Sequence, residues 1–211
     1  MNSHPWQRIP LADYEAHMAL VEQAPMLGRL LQRVGETWRP QSLAVLGVAG
    51  GNGLELLDPA IVRRVVAVDF NPDYLAACAA RYAGRFEKFE PVLHNLAVGP
   101  PPVAPVECLF AGLVLEYLKL EEFCDWLPSL LLPSGIFAVV LQQPSPDLPE
   151  VSASPFTSLA QLQAAFRFVK PRDLHQSLVR RGVDLVSRKE QRLASGKVFH
   201  VAQWRRSTQC Q

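Results

Sequence analysis

The sequence has no long apolar run, no paired cysteines and no excess of charge of either sign. No uninterrupted apolar stretch approaches the roughly 20 residues that a membrane-spanning helix needs, so a membrane protein is not expected. The start, MNSHPWQRIP, contains no apolar signal core, so we expect a cytoplasmic protein. The 21 Lys and Arg residues nearly balance the 20 Asp and Glu residues, which leaves no strong field to hold a nucleic-acid backbone.

Metal and disulfide sites are not indicated either. The four cysteines, Cys78, Cys108, Cys124 and Cys210, form no C-x-x-C pair and match no zinc or disulfide pattern. We interpret them as small apolar side chains in a reducing compartment. With 49% hydrophobic and 19% charged residues, the 211-residue chain has the composition of a folded domain.

Helix-like and strand-like segments follow one another along the chain. Residues 1–40 carry apolar residues at helical spacing, and Pro25 is expected to break them into two helices. Strands are predicted at 43–48, 65–69, 91–96, 106–111, 136–141, 183–193 and 197–206, and helices at 71–85, 121–131, 158–166 and 172–181. Another helix is expected to begin at Asp58 and Pro59.

This alternation predicts an α/β fold with a doubly wound, mostly parallel, seven-stranded sheet. The last two strand-like runs flank Ala194-Ser195-Gly196, which is a hairpin signal, so they are expected to add an antiparallel hairpin. Ligands of such sheets bind at the carboxyl ends of the strands, near the point where the strand order reverses. We therefore expect the functional residues directly after the strands.

A glycine-rich loop, Gly47–Gly53, directly follows the first predicted strand, and glycines there let the backbone turn sharply and approach a ligand. A bulky side chain at Gly51 is expected to block that ligand and to leave the fold largely intact. Asp69 ends the next strand, where its carboxylate can accept hydrogen bonds from both hydroxyls of a ribose. Together they predict a site for an adenosine-containing cofactor. The alternative is a tight turn followed by a helix cap, with no ligand.

The loop resembles motif I of the class I S-adenosylmethionine-dependent methyltransferases, in which an acidic residue is followed by x-G-x-G-x-G. Val68–Pro72 resembles the second motif of that family, Gly112–Leu118 the stretch after its fourth strand, and Leu131–Gly135 the start of its fifth. The resemblance covers residues 42–141 and, more loosely, the hairpin. It implies a Rossmann-like sheet, S-adenosyl-L-methionine as the cofactor, and methyl transfer.

The resemblance also implies which residues bind the cofactor. They are the loop residues, the ribose-binding acid and residues after the later strands: Gly47, Ala49, Gly51, Asn52, Gly53, Asp69, Phe70, Asn95, Leu96 and Ala111. Asn52 contacts the methionine end or caps the next helix. Asn95 pairs with the adenine edge or forms an Asx turn, and Phe70 flanks the adenosine or belongs to the core.

Two positions depart from the family pattern. Gly47 stands where the family has the motif I acid, which puts the affinity for the cofactor in question but not the fold. Ala49 stands where the family has the first glycine. Alanine is a mild change there if φ is negative and a costly one if φ is positive.

The acceptor and the catalytic residue are less defined by the sequence. Attack on a sulfonium methyl releases a neutral thioether, so proximity and orientation supply much of the acceleration and a dedicated base is optional. Tyr14 and His17 share a helix face; they either line a substrate pocket under a lid or belong to a partly exposed surface. Glu116 is either a base near the methyl donor or a helix cap.

The sequence thus predicts a small methyltransferase with a small-molecule acceptor, in which residues 1–40 form a lid and 41–211 the cofactor-binding domain. No metal, membrane or nucleic acid is expected as a partner, and the oligomeric state is left open. The alternative is a related fold that has lost catalysis and serves binding or regulation, because the motif I acid is missing. A nicotinamide-dependent reductase is disfavoured, since neither a clean G-x-G-x-x-G nor a Tyr-x-x-x-Lys pair occurs.

Overall fold

The computed structural model describes residues 5–208, in which seven strands form a single sheet flanked by helices. The strands are β1 Ser42–Leu46, β2 Arg64–Asp69, β3 Lys88–Leu93, β4 Val106–Gly112, β5 Leu131–Gln142, β6 Val183–Arg192 and β7 Val198–Arg206. The α-helices are α1 Leu11–Leu20, α2 Gln23–Trp38, α3 Pro72–Tyr82, α4 Leu120–Trp126 and α5 Pro171–Val179. Short 3₁₀ helices include Pro5–Arg8 and Thr157–Leu162. Cys210 lies outside the described residues.

The strand order is β3-β2-β1-β4-β5-β7-β6. β1 to β5 pair in parallel, and β7 runs antiparallel to both β5 and β6. The predicted doubly wound sheet with an antiparallel hairpin is therefore confirmed. Because the chain winds outward from β1 in one direction and from β4 in the other, the strand order reverses between these two strands, and a ligand cleft is expected at their carboxyl ends.

Each face of the sheet carries its own apolar core. On one face, α2 and α3 pack against β1, β2 and β4 through residues such as Leu30, Leu31 and Cys78. On the other face, α4 and α5 pack through Phe123 and Leu174. The three described cysteines are buried and unpaired, in agreement with the prediction that they act as apolar side chains.

The break between the first two helices lies before Pro25. Glu22 adopts a left-handed conformation with φ of 60°, and α2 begins at Gln23. Pro25 then falls in the first turn of α2, where a backbone N–H has no partner within the helix and its absence costs little. The proline therefore starts the second helix rather than ending the first.

Three predicted elements were wrong in kind or position, and one of them is the helix expected at 158–166, which is the 3₁₀ helix Thr157–Leu162. Asp58 does not begin a helix; its carboxylate accepts the Ala60 N–H over 2.9 Å and closes a turn. β3 lies three residues before its predicted position and includes Pro91. Because β3 is an edge strand that pairs only with β2, a proline with no N–H is tolerated there.

None of the helices in residues 5–208 combines the length and the apolar character that crossing a membrane requires. Within the same residues, no group of three or more His, Cys, Asp and Glu side chains is arranged to hold a metal ion.

Candidate functional site

A cleft opens at the carboxyl ends of β1, β2 and β4, where the topology places a ligand. It encloses about 730 Å³ of empty space, counting the part that is open to solvent. Six of the ten predicted cofactor residues line it: Gly47, Ala49, Asp69, Phe70, Asn95 and Leu96. Residues that are far apart in the sequence are thus brought to one cavity.

The first half of the glycine-rich loop faces this cleft in a strained conformation. Gly47 and Ala49 both have positive φ, 66° and 48°. The costly alternative for Ala49 therefore applies, because a side chain at positive φ crowds its own backbone. The Ala49 N–H donates to Asp69 Oδ2 over 2.9 Å, so the strained turn is tied to the end of β2. Strain of this kind is typical of functional sites.

Asp69 is the only acidic residue that lines the described cleft, and it is 8% exposed. Its Oδ1 accepts the Asn71 N–H over 2.9 Å, while Oδ2 accepts Ala49. Burial raises the pKa of this carboxyl, and the backbone N–H groups oppose that shift by favouring the charged form. The Phe70 N–H is a third backbone donor to this carboxylate. A carboxylate has about four acceptor sites, so it retains capacity for another donor.

The second half of the loop faces the helices, so the structure does not bring three of the predicted cofactor residues to the cleft wall. A Cβ on Gly51 would lie 2.5 Å from the Tyr82 ring, and one on Gly53 would lie 2.8 Å from the Gly28 Cα. The Asn52 amide donates to the Ala24 carbonyl over 2.9 Å. Asn52 therefore anchors α2 to the loop and does not cap the next helix. None of the three residues lines the cleft.

Gly51 also overturns the expectation that a bulky side chain there would spare the fold. Its φ is 92°, and the space that a side chain would occupy is filled by Tyr82 and Cys78 of α3. The glycine allows a helix to approach the loop closely, so a substitution acts on packing before it acts on a ligand.

Two further predicted site residues lie behind the cleft wall. Ala111 is fully buried within β4, and its neighbour Gly112 lines the cleft instead. Glu116 is 0% exposed and does not line the cleft. Its Oε1 accepts the Gln142 N–H over 2.8 Å, and its Oε2 has no hydrogen-bond partner among the described residues. Burial raises the pKa of Glu116 to about 7. It connects the segment after β4 to the end of β5 and does not cap α4, whose N-cap is Lys119; its role as a base stays a prediction.

The wall beyond Asp69 has mixed character. Phe70 and Leu96 line it, and Asn95 follows β3. Asn95 Oδ1 accepts the Ala97 N–H over 3.0 Å, which is the expected Asx turn. The amide nitrogen of Asn95 is not used in that turn, so it remains a donor toward the cleft. The two alternatives for this residue are therefore compatible.

Aromatic side chains close the opposite side of the cleft. Trp6 meets Tyr14 and Tyr117 edge to face, with ring centroids 5.5 and 5.3 Å apart, and Tyr14 stacks on Tyr74 at 5.9 Å. Asn71 donates to the Trp6 carbonyl over 3.0 Å. The sequence left Tyr14 as either a substrate-pocket residue or part of an exposed helix face, and it did not identify Tyr74 and Tyr117 as wall residues. Tyr117 could have been identified from the sequence, because it follows β4 and ligands of such sheets bind after the strands.

A second cavity adjoins the first beneath the same aromatic residues. Trp6, Tyr14, Leu113 and Tyr117 line both cavities. The second cavity has about 480 Å³ of empty space, counting open solvent, and its other walls include Met18, Leu159, Leu162 and Phe166. It is mostly apolar, and its distinct polar side includes His17, Gln23 and Gln142.

His17 is buried on the wall of this second cavity. Its Nδ1 lies 2.9 Å from Ser154 Oγ, so Ser154 fixes the orientation of the ring. Burial and the nearby Lys197 ammonium lower the pKa of His17, which keeps the imidazole neutral at pH 7. Burial also lowers the pKa of Lys197 to about 8. A neutral, oriented imidazole can accept a proton from a group in the cavity.

Comparison with known proteins gives matches only among solved structures. No model of a protein family and no curated protein matches the chain. The chain is similar to the N-methyltransferase NodS from Bradyrhizobium japonicum WM9 in complex with S-adenosyl-L-homocysteine, with 15% identity, a TM-score of 0.65 and 87% of each chain covered. It is also similar to geranyl diphosphate methyltransferase in complex with S-adenosylmethionine, with 12% identity, a TM-score of 0.65, and 87% and 85% of the two chains covered.

The (4+2)-cyclase SpnF is similar to the same degree, with 13% identity and a TM-score of 0.64 over 86% of this chain and 82% of that one. Proteins with different named activities therefore share this architecture, and at these identities the likeness concerns the fold. The chain has the Rossmann-like fold of the class I S-adenosylmethionine-dependent methyltransferases, as its motifs implied.

Proposed function

We propose that the protein binds S-adenosyl-L-methionine in the cleft and transfers its methyl group to a small molecule in the adjoining cavity. The observation that carries the proposal is Asp69, a buried carboxylate on the cleft wall that is held by the backbone N–H groups of Ala49, Asn71 and Phe70 and retains acceptor capacity. Vicinal hydroxyls of a ribose are suitable donors for such a group.

The residues of the cleft support binding of the adenosine and sulfonium parts of this cofactor. Gly47 and Ala49 bring backbone rather than long side chains to the wall, which leaves room for a ligand to approach. Phe70, Leu96 and the Asn95 amide offer apolar and donor groups to a purine ring. The aromatic side, formed by Trp6, Tyr14, Tyr74 and Tyr117, suits a cation, because aromatic faces attract positive charge within about 6 Å. When bound, the cofactor supplies an electrophilic methyl group on a sulfonium centre.

The lining of the second cavity suits a methyl acceptor that is small and largely apolar and that carries one polar reacting group. It shares a wall with the cleft, so a molecule bound in it would be adjacent to the proposed cofactor site. Attack within such a pair of cavities gains from orientation and from the exclusion of water. His17 is positioned to accept a proton from the acceptor, and Tyr14 stays protonated, because burial and nearby Asp69 raise its pKa.

We infer that the segment from residue 4 to Val21 acts as a lid. Its described part is tied to α3 through Tyr74, whose hydroxyl donates to the Ile9 carbonyl over 2.9 Å, and through an ion pair between Glu15 and Arg81. It is tied to the other side by Ser158, which donates to Asp13 over 2.7 Å. Deleting residues 1–21 is expected to abolish turnover while weakening cofactor binding less than the loss of Asp69. A truncated protein that folds and turns over at the full rate would exclude the lid.

Calorimetric titration with S-adenosylmethionine, S-adenosylhomocysteine and NADH tests the cofactor. Binding of the first two and not the third is expected. Asp69→Asn keeps an acceptor for Ala49 but loses the charge, so affinity should fall at least about 10-fold. Asp73→Asn is the matched control, because it removes the same charge from an exposed residue that does not line the cleft. Equal affinity in the Asp69 and Asp73 variants would remove the ribose contact from the proposal.

A catalytically degenerate protein with a binding or regulatory role is the second candidate. Two observations favour it: Gly47 replaces the acid of motif I, and Ala49 occupies a glycine position at positive φ. Release of S-adenosylhomocysteine with a panel of amines, phenols, thiols and carboxylates separates the two. If the wild type turns over an acceptor and His17→Ala does not, the protein is an active methyltransferase. Tight cofactor binding without turnover of any acceptor supports the second candidate.

A further inference from the structure

A third cavity lies on the opposite side of β5 from the acceptor cavity. It is an open groove between the start of α5 and the outer face of the hairpin, with about 1060 Å³ of empty space counting open solvent. Gln142 and Gln143 are consecutive at the end of β5; Gln142 lines the acceptor cavity and Gln143 lines the groove. Consecutive residues of an extended chain point to opposite faces, so the groove is a separate site.

Three polar nitrogen atoms of groove residues are buried without a hydrogen-bond partner among the described residues. They are Trp204 Nε1, Gln143 Nε2 and His175 Nδ1. The indole nitrogen only donates, the amide nitrogen only donates, and the imidazole nitrogen donates in one tautomer and in the charged ring. Trp204 is 1% exposed, and buried polar groups of this kind are rarely left unpaired. The groove therefore offers donors that need acceptors.

The charged side chains of the groove also favour an anionic ligand. Arg172 on α5 and Arg188 on β6 line it, and neither makes an ion pair or a side-chain hydrogen bond with another described residue. Arg188 lies close enough to His200 to lower the pKa of that imidazole, together with burial. Glu190 is the only acidic residue that lines the groove in the described chain, so positive charge predominates.

We propose that this groove binds a phosphate group of an anionic ligand. A phosphate presents acceptor oxygens on several sides and can take donors from α5, β6 and β7, whereas a carboxylate presents two oxygens in one plane. Gln143 lies opposite Val198 and Trp204 opposite Phe137, so Gln143 is out of reach of a phosphate held at Trp204. Two arginines on facing elements match the usual recognition of phosphate by guanidinium groups. The site lies outside the cofactor cleft and does not depend on the activity proposed there.

The indole N–H signals of the four tryptophans in a ¹H–¹⁵N spectrum test the proposal. Inorganic phosphate is titrated at constant ionic strength, with chloride as the balancing anion. A saturable shift of the Trp204 indole signal is expected, with no shift of Trp38, which donates to Gln203 on the other face of the sheet. An unmoved Trp204 signal at millimolar phosphate would overturn the proposal. Binding of succinate as tight as that of phosphate would overturn the choice of phosphate.

A pair of double variants separates a built site from general attraction. Arg172→Gln with Arg188→Gln is expected to weaken phosphate binding at least about 10-fold, because two charge-assisted hydrogen bonds are lost. Arg29→Gln with Arg63→Gln is the matched control, since both arginines are exposed and lie away from the groove. Equal weakening in both variants would reduce the effect to net charge and overturn the site.

Discussion

The two halves of the glycine-rich loop perform different tasks. Gly47 and Ala49 line the cleft and Ala49 is hydrogen-bonded to Asp69, whereas Gly51 and Gly53 lie against α3 and α2. All four residues have positive φ. The difference therefore lies in what each residue faces, and the family motif combines a ligand requirement with a packing requirement in one short stretch.

The same division recurs after β4. Leu113, with φ of 58°, and Tyr117 line the cleft, while Glu116 between them lies buried behind it. At both places, wall residues at positive φ, Ala49 and Leu113, are backed by buried residues that do not line the cleft. Variants of the wall residues and of the residues behind them should separate ligand binding from stability.

The largest effect is expected for Gly51→Val, in the supporting half of the loop. Positive φ is strongly unfavourable for a β-branched residue, and the Tyr82 ring occupies the space of the new side chain. We expect a loss of about 3 kcal/mol or more in the free energy of unfolding, measured by urea denaturation. Gly84→Val is the control, because a Cβ there meets no atom within 4 Å. Similar losses in both would contradict the packing role of Gly51.

Glu116→Gln should change the pH dependence of stability. The folded pKa of about 7 lies above the usual 4.5, so the wild type loses stability as pH rises between these values. The variant cannot ionise and should be more stable at pH 8, by up to about 3 kcal/mol, with a much smaller advantage at pH 5. Denaturation at both pH values measures this, with the exposed Glu87→Gln as control. An advantage of equal size at both pH values would exclude the buried charge as its cause.

Gly47→Ala should act on the cleft as well as on stability. Its Cβ would lie 3.0 Å from Val114 Cγ2, and Val114 lines the cleft. We expect a loss of about 1–2 kcal/mol in stability from the positive φ, and weaker cofactor binding from the displaced wall. Gly182→Ala has the same strain, with φ of 71°, but open space around it. The Gly182 control should lose stability but keep its cofactor affinity. If the Gly47 variant also keeps its cofactor affinity, Val114 does not belong to the cofactor site.

The smallest effect is expected for Ala49→Gly, which restores the family residue. Removing Cβ relieves a φ of 48°, so stability should rise by about 1 kcal/mol. Ala83→Gly, at a φ of −57°, should lower it instead. Thermal unfolding of the two variants measures the difference, and a decrease for both would show that Ala49 is not strained.

The buried parallel strands could be predicted from the sequence, because strands covered on both faces form continuous apolar runs such as Val65–Val68. β3 was misplaced since an edge strand alternates with polar residues and tolerates Pro91. Asp69 was identifiable from its position at the end of a strand. The direction that each glycine faces, and the gathering of Trp6, Tyr74 and Tyr117, depend on packing between distant segments, which local patterns do not encode.

The position of β7 has a consequence for biosynthesis. β7 follows the other six strands in the chain, yet it is inserted between β5 and β6. Until residues 198–206 have left the ribosome, the backbone groups along β5 have no partner on that side. A nascent chain at this stage presents a long apolar strand edge, which is a template for aggregation. Synthesis of this protein therefore carries its greatest hazard shortly before β7 is complete.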